Sequence, residues 1–192
     1  MTKTVLGIDE AGRGPVIGPL VMAGVKIKEK DEKKLIDLGV KDSKLLAPLQ
    51  RERMFDPILE IVDKYKIIII SPQEVDDALN SETTNLNWLE ADHSIKIIDE
   101  LKADKAILDA PSNNIEKYTE YVENNSKAKT QIIAEHKADM NYPVVSAASI
   151  LAKVTRDSEI EKIKQKIKMN FGSGYPSDPI TQGFLKKHYK DY

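Results

Sequence analysis

Two adjacent carboxylates, Asp9 and Glu10, follow the apolar run 5–8 near the start of the chain. Neighbouring acids repel each other and lose hydration when they are buried, so a protein tends to keep such a pair where cations or protons neutralise it. The pair therefore indicates a metal site. The alternative is a surface turn in which water solvates both acids.

An arginine bracketed by glycines comes directly after the two acids, as Gly12, Arg13 and Gly14. Because glycine has no side chain, the backbone on either side of Arg13 can approach a ligand closely and take conformations that other residues rarely adopt. This stretch favours a site that a nucleic-acid strand could enter.

Two further acids lie later in the chain. Asp109 ends the apolar pair Ile107 and Leu108, as Asp9 ends its own apolar run, and Asp139 lies in a segment that leads into a predicted helix. The chain contains no cysteine. A bound metal could therefore use only oxygen or imidazole ligands.

Small hydroxyls and cations recur at three- and four-residue steps along the helix predicted for residues 144–169. They are Ser146, Ser149, Lys153 and Arg156, and an apolar stripe runs along the other side. The pattern predicts one core face and one polar face that could hold phosphate oxygens. An ordinary amphipathic surface helix would give the same spacing.

Lys44 and Tyr175 are further candidates for contact with nucleic acid. Lys44 lies between two predicted helices, where Asp42 or Ser43 could equally act as a helix cap. Tyr175 lies in a loop rich in glycine and proline, where an aromatic ring could stack on a base or a sugar. The alternative for Tyr175 is a ring packed on the protein.

The elements that must position these residues alternate between strands and helices. Strands are predicted at 4–8, 16–27, 66–70, 103–108 and 130–134, the first two antiparallel, and the principal helices at 33–40, 48–64, 84–101 and 144–169. This order indicates an α/β domain with a mixed central sheet. His93 lies on the buried stripe of the third of these helices and is interpreted as a core residue rather than a ligand.

The composition fits one domain of 192 residues with a hydrophobic content of 41%. No apolar run approaches the roughly 20 residues that span a bilayer, and no signal peptide precedes the first strand, so we expect a cytoplasmic protein without a membrane partner. The formal net charge is −2, but residues 153–192 hold nine Lys or Arg against five acids. The basic end could bind phosphates while the acidic remainder binds cations.

Six motifs in order resemble those of the ribonuclease HII family and cover nearly the whole chain. They are Asp9-Glu10-Ala11-Gly12-Arg13-Gly14, Asp42-Ser43-Lys44, Leu108-Asp109-Ala110, His136-Lys137-Ala138-Asp139, the segment 145–153, and Gly174-Tyr175-Pro176-Ser177-Asp178. The segments 84–87 and 172–178 resemble the archaeal and eukaryotic branch, and we favour an archaeal relative. The chain is too short for the additional amino-terminal domain of ribonuclease HIII.

The resemblance implies an RNase H-like fold with a mixed central sheet and a C-terminal helical region. Residues 1–143 would form the catalytic core, and residues 144–192 a helical substrate-binding region packed on it. The implied enzyme is an endoribonuclease that hydrolyses the RNA strand of RNA/DNA hybrids. It would also cut 5′ of single ribonucleotides embedded in duplex DNA, leaving 5′-phosphate and 3′-hydroxyl ends.

The resemblance also implies which residues act. The catalytic and metal-binding acids would be Asp9, Glu10, Asp109 and Asp139, an oxygen set that suits two Mg²⁺ or Mn²⁺ ions, with Asp9 bridging both. The substrate-binding residues would be Gly12, Arg13, Gly14, Lys44, Ser146, Ser149, Lys153, Arg156 and Tyr175.

Two other classes of function are compatible with the acids alone. A Holliday junction resolvase or an integrase of the same fold would share the acids but not the Gly12-Arg13-Gly14 and Tyr175 elements, and would cut DNA without a ribonucleotide. A non-enzymatic nucleic-acid binding module would not cut, and cleavage that stops with EDTA would exclude it.

The tail carries a weaker hypothesis about a partner. The spacing of Gln182, Leu185, His188 and Tyr189 resembles a sliding-clamp binding pattern. The alternative is a terminal helix that packs on the domain. Apart from a clamp, we expect a monomer that binds RNA/DNA hybrids and DNA containing ribonucleotides.

Overall fold

The computed structural model describes residues 2–40 and 46–190. Its strands form one sheet and are β1 (Thr4–Ala11), β2 (Leu20–Lys28), β3 (Lys64–Ile70), β4 (Lys105–Asp109) and β5 (Gln131–Glu135). Their order is β3-β2-β1-β4-β5. The first three strands pair antiparallel, β4 runs parallel to β1, and β5 runs parallel to β4. The predicted mixed sheet and antiparallel first pair are therefore confirmed.

Helices cover both faces of this sheet. In the described part of the chain they are α1 (Glu32–Leu38), α2 (Pro48–Ile61), α3 (Pro72–Leu79), α4 (Leu86–Leu101), α5 (Ile115–Asn125), α6 (Ala138–Asn141), α7 (Pro143–Ile167) and α8 (Pro179–His188). A 3-10 turn, Glu29–Asp31, precedes α1. The principal predicted helices are confirmed with their ends shifted by a few residues. None of the described helices is long and apolar enough to cross a membrane.

The first strand is longer than predicted. β1 continues to Ala11 instead of ending at residue 8, so Asp9 and Glu10 lie within the strand, paired with Ala23 and Met22 of β2. Because side chains alternate along a strand, the two adjacent acids point to opposite faces of the sheet.

The second strand is shorter than predicted. β2 begins at Leu20 because the amides of Val16 and Ile17 donate to the Gly174 carbonyl, at 2.8 and 3.3 Å, and not to the sheet. Gly18, with φ of +99°, then turns the chain into the strand. The segment between β1 and β2 is therefore attached to the C-terminal loop.

The sheet separates two hydrophobic cores. Val5 and Ala11 of β1 contribute to the core beneath α7, whereas Leu6 and Ile8 contribute to the core beneath α4 and α5. By the same alternation, Asp9 faces α7 and Glu10 faces α4.

Helix α7 lies on β1 and is buried along its first half. Every residue from Val144 to Ala152 is buried, so the predicted division into a core face and a polar face is wrong there. The cause is a close approach to β1, since a β-carbon added at Gly7 would lie 2.4 Å from the carbonyl carbon of Val144. The division of the chain at residue 143 stays a prediction.

Candidate active site

Three carboxylates meet above the centre of the sheet. Asp9, Asp109 and Asp139 each offer one oxygen, and these oxygens all lie within 4.8 Å of one another. Asp9 and Asp139 are buried, and Asp109 is half-buried. Asp109 comes to Asp9 because β4 runs parallel to β1, with Leu108 paired to Ile8.

A tight turn brings the third acid into the cluster. Lys137, at the end of β5, has a left-handed backbone with φ of +58°, which is unusual for a residue other than glycine. The next amide, that of Ala138, donates to Oδ1 of Asp109 at 3.1 Å. The turn therefore links Asp109 to the helix that carries Asp139.

The donor set of this cluster fits a hard divalent cation. It consists of carboxylate oxygens, the ligands that Mg²⁺ and Mn²⁺ prefer. In the described part of the chain one ammonium lies beside these acids, and the three carboxylates hold more negative charge than it can neutralise. The site is therefore suited to cation binding.

Helix α7 supplies that ammonium. Nζ of Lys153 donates to Oγ of Ser149 at 2.7 Å, and Ser149 in turn forms a hydrogen bond with the Asp9 side chain. Burial raises the pKa of Asp9 to about 6 from its ordinary 3.8, while Lys153 and Ser149 act in the opposite direction. Ser149 and Lys153 thus act on the acid cluster itself.

The fourth predicted acid, Glu10, is not in this three-acid cluster. It is half-buried on the α4 side of the sheet, where burial and the charges of Asp9 and Glu90 raise its pKa well above the usual range and Arg13 opposes them. The alternation of side chains along β1 separates Glu10 from the three-acid cluster. The predicted strand ended before both acids, so the sequence could not show this separation.

A cleft of about 410 Å³ adjoins the acids and contains most of the predicted substrate residues. Its lining residues are Glu10, Ala11, Gly12, Arg13, Gly14, Arg51, Lys153, Arg156, Asp157 and Tyr175. Residues more than 160 positions apart are thus brought together at one opening, beside the acid cluster.

Comparisons with known proteins identify this combination. The family model described as Ribonuclease HII matches residues 6–191. Ribonuclease HII from Pyrococcus horikoshii is 47% identical over 190 residues, which cover 98% of this chain and 84% of that protein. The chain belongs to the ribonuclease HII family.

Solved structures agree with the family. The crystal structure of ribonuclease H2 from Pyrococcus horikoshii OT3 is similar with a TM-score of 0.89 and 46% identity, covering 98% of this chain and 88% of that one. A PCNA:RNase HII complex from Archaeoglobus fulgidus also gives a TM-score of 0.89, at 42% identity, covering 97% and 87%.

These comparisons confirm the expected RNase H-like fold and the archaeal resemblance. The chain is a metal-dependent ribonuclease H, a hydrolase that acts on RNA/DNA substrates. The junction resolvase, the integrase and the non-enzymatic module are thereby excluded.

Arg156 occupies a different place from the one predicted. It is buried, and its Nη2 donates to the carbonyls of Ser173 and Ile17 at 3.1 and 3.4 Å. Its guanidinium carbon lies 4.6 Å from the centre of the Tyr175 ring. Arg156 therefore joins the Tyr175 loop to the segment before β2, and the idea that it grips phosphate from an exposed helix face is corrected.

Tyr175 is half-buried and lines the cleft from this joined loop. The preceding Gly174 has φ of +82°, and a β-carbon there would lie 2.4 Å from the Ile17 carbonyl oxygen. Only glycine fits so close an approach, which fixes the position from which the ring faces the cleft.

Two of the predicted substrate residues that the structure describes, Ser146 and Ser149, do not line the cleft. Ser146 is buried, and its hydroxyl donates to the Val40 carbonyl, so the first turns of α7 are committed to the core and the prediction of phosphate contact is corrected. Lys44 lies outside the described residues. His93 is buried with Nε2 3.5 Å from a Glu74 oxygen, which confirms its interpretation as a core residue.

The sequence reasoning missed Glu90, Asn87 and Arg51. Glu90 and Asn87 accept hydrogen bonds from Arg13, and Arg51 on α2 lines the cleft. Glu90 could have been noticed, because it lies seven and eleven residues before Ile97 and Leu101, on the apolar face of α4. No sequence pattern marks Arg51.

Proposed function

We propose that this enzyme hydrolyses the RNA strand of RNA/DNA hybrids and cuts 5′ of a single ribonucleotide in duplex DNA. The observation that carries the proposal is the position of the Gly12-Arg13-Gly14 loop and Tyr175 at one cleft beside the acid cluster. The products would carry 5′-phosphate and 3′-hydroxyl ends.

Recognition of a lone ribonucleotide depends on one 2′-hydroxyl, which both donates and accepts hydrogen bonds. The backbone of residues 12–14 can supply these bonds because its glycines allow close approach. Tyr175 would contact the same hydroxyl and place its ring against the following sugar, which fits better without a 2′ oxygen. The two elements together would read the junction from RNA to DNA.

Asp9, Glu10, Asp109 and Asp139 would together hold two Mg²⁺ or Mn²⁺ ions. Bound divalent ions supply activation of the attacking water and stabilisation of the leaving 3′ oxygen. Glu10 would have to act from the cleft side, which it lines. Lys153, through Ser149, would keep the Asp9 carboxylate oriented and ionised.

The test uses a DNA duplex with one ribonucleotide, labelled on the cut strand, with Mg²⁺, with Mn²⁺ and with EDTA. We expect cleavage on the 5′ side of the ribonucleotide, a ligatable 3′-hydroxyl end, and no product in EDTA. An all-DNA duplex of the same sequence is the control. Cleavage of continuous hybrids alone would contradict the junction proposal while leaving the ribonuclease H activity standing.

We also propose a contact between α8 and a sliding clamp, because a structurally similar ribonuclease HII is found in a complex with PCNA. Tyr189 is 66% exposed and could enter a partner. Packing on the domain accounts for part of the pattern, since Leu185, His188 and Tyr189 line one apolar groove and Gln182 Nε2 donates to the Pro176 carbonyl at 2.7 Å.

Calorimetry of the chain against its host's clamp tests this contact. We expect binding that Tyr189→Ala weakens and that Tyr65→Ala, a change on the exposed face of the edge strand β3, does not. Absence of heat at tens of micromolar would end the proposal. Light scattering on the same samples tests the proposed monomer, which a dimer mass for the chain alone would contradict.

A further inference from the structure

Arg13 is attached to α4. Its Nε donates to both carboxylate oxygens of Glu90, at 3.0 and 3.1 Å, and its Nη2 donates to Oδ1 of Asn87. Asn87 and Glu90 are three residues apart and lie on the same helix face. Bonds from two nitrogens fix the plane of the guanidinium and hence the direction in which Arg13 leaves its loop.

The exposure of the two partners is unequal. The Arg13 side chain is 39% exposed, whereas that of Glu90 is 1% exposed. Burying a carboxylate is costly, and an apolar residue in its place is often as stable or more so. The stability of α4 is therefore a weak reason for an acid at this position, and a role in orienting Arg13 is a stronger one.

Among the described residues, close packing holds the loop at its first glycine and not at its second. A β-carbon at Gly12 would lie 2.5 Å from the Pro19 carbonyl oxygen and 2.7 Å from Nε of Arg156, whereas one at Gly14 would have nothing described within 4 Å. The loop is thus fixed at Gly12 by packing and at Arg13 by α4, and it opens into the cleft at Gly14.

We propose that Glu90, supported by Asn87, is a positioning residue that fixes the 12–14 loop for reading a single 2′-hydroxyl. This inference rests on the proposed function. A lone ribonucleotide offers one productive register, so a displaced loop loses its only contact. A continuous hybrid offers a 2′-hydroxyl at every register and tolerates the displacement better.

The experiment compares kcat/KM on a single-ribonucleotide duplex with kcat/KM on a continuous RNA/DNA hybrid. The variants are Glu90→Gln, Asn87→Ala, Arg13→Gln and the double variant Glu90→Gln/Arg13→Gln. Glu100→Gln is the matched control, since it removes an acid from the exposed face of the same helix, where Glu100 pairs with Lys66. Melting temperature and Mn²⁺ affinity are measured for each.

We expect Glu90→Gln to lower the single-ribonucleotide to hybrid ratio by roughly tenfold to a hundredfold, the range that small misplacements produce. Asn87→Ala should lower it less, and Glu100→Gln should leave it unchanged. Since Glu90 acts through Arg13, the double variant should lose no more than the worse single variant. Mn²⁺ affinity should not change in parallel with the ratio of kcat/KM on the two substrates.

Equal losses on both substrates, or a ratio that falls only in parallel with melting temperature, would show a structural salt bridge and overturn the inference. Asn87→Ala keeps the test decisive if Glu90→Gln folds poorly, because the hydrogen bond from Arg13 to the Asn87 side chain lies at the exposed surface of the helix. An unchanged ratio in Glu90→Gln would overturn this inference and leave the proposed function standing. A wild-type enzyme that ignores the lone ribonucleotide overturns the proposed function as well.

Discussion

The two faces of β1 carry adjacent acids in opposite electrostatic settings. On the α7 face, Asp9 joins Asp109 and Asp139 with the Lys153 ammonium as the cation of α7 in the site. On the α4 face, Glu10 and Glu90 share the guanidinium of Arg13. On the first face the acids outnumber the described cations and lie close enough together to bind an external cation. On the second face Arg13 pairs directly with Glu90, and this pair orients the loop.

Removing one charge from the α7 face should have the largest effect on activity. Asp109→Asn should abolish cleavage, a loss of about a thousandfold or more, because bound cations supply several kcal/mol of stabilisation to the reaction. The asparagine side chain keeps the oxygen that accepts the hydrogen bond from the backbone N–H of Ala138. In EDTA the melting temperature should stay level or rise, since repulsion with Asp9 is lost.

Asp56→Asn is the matched control for that variant, because Asp56 is exposed on α2. It should leave cleavage and melting temperature unchanged. Wild-type turnover by Asp109→Asn in Mg²⁺ would remove Asp109 from the site.

The pH dependence of the metal-free protein sharpens the same contrast. Burial raises the pKa of Asp9 to about 6 from 3.8, so the folded state binds this proton more tightly than the unfolded state does. The associated stability is fully present below pH 4 and is lost as the pH rises through about 6, roughly 3 kcal/mol in all. Asp9→Asn should flatten this part of the profile.

The pH-dependent stability that Asp9 contributes is measured by urea unfolding in EDTA at several pH values. It is the difference in the free energy of unfolding between the wild type and Asp9→Asn. Saturating Mg²⁺ should also remove the slope, because the ion favours the carboxylate. A difference that does not vary between pH 4 and pH 7 would contradict the buried, protonatable Asp9.

Tyr175 tests the cleft where the two faces meet. Tyr175→Ala should cost roughly tenfold to a hundredfold on the single-ribonucleotide duplex, as loss of a stacking contact does, without a matching fall in metal affinity or melting temperature. Tyr175→Phe separates the hydroxyl contact from the ring contact. Tyr65→Ala on β3 controls for loss of an exposed aromatic ring. If Tyr175→Ala cut the single-ribonucleotide duplex as well as the wild type does, Tyr175 would be excluded from recognition.

The smallest expected effect is on the metal affinity of Glu10→Gln. Glu10 is the proposed ligand that lies outside the three-acid cluster, so its loss should lower Mn²⁺ affinity by roughly tenfold, a smaller loss than Asp109→Asn gives. Calorimetry on the two variants compares them directly. Equal losses would mean that Glu10 crosses to the other face when the cation binds.

The order of the strands and the positions of the motifs were sufficient to predict the mixed sheet and the three acids that form the cluster. Apolar runs that end in Asp9 and Asp109 place both acids where parallel neighbours meet. The division of Asp9 from Glu10 could not be predicted, because it depends on β1 continuing three residues farther, through pairing with β2.

The errors on α7 and the loops have a tertiary origin. Ser146 and Arg156 fit a polar helix face by spacing, but Gly7 lets α7 lie so close to β1 that its first half is buried. Arg156 then bonds to carbonyls of Ile17 and Ser173, which are far from it in sequence. Spacing along one helix cannot reveal partners on two other segments.

The close approach of α7 to β1 also sets the point during synthesis at which the chain becomes an active enzyme. Asp9 is made early, Asp109 one hundred residues later, and the helix that covers them, α7, later still. A nascent chain therefore has no partly active form, and contacts of such long sequence separation fold slowly. Hydrolytic competence should arise in a single late step, when α7 docks on the first strand and closes the acid cluster.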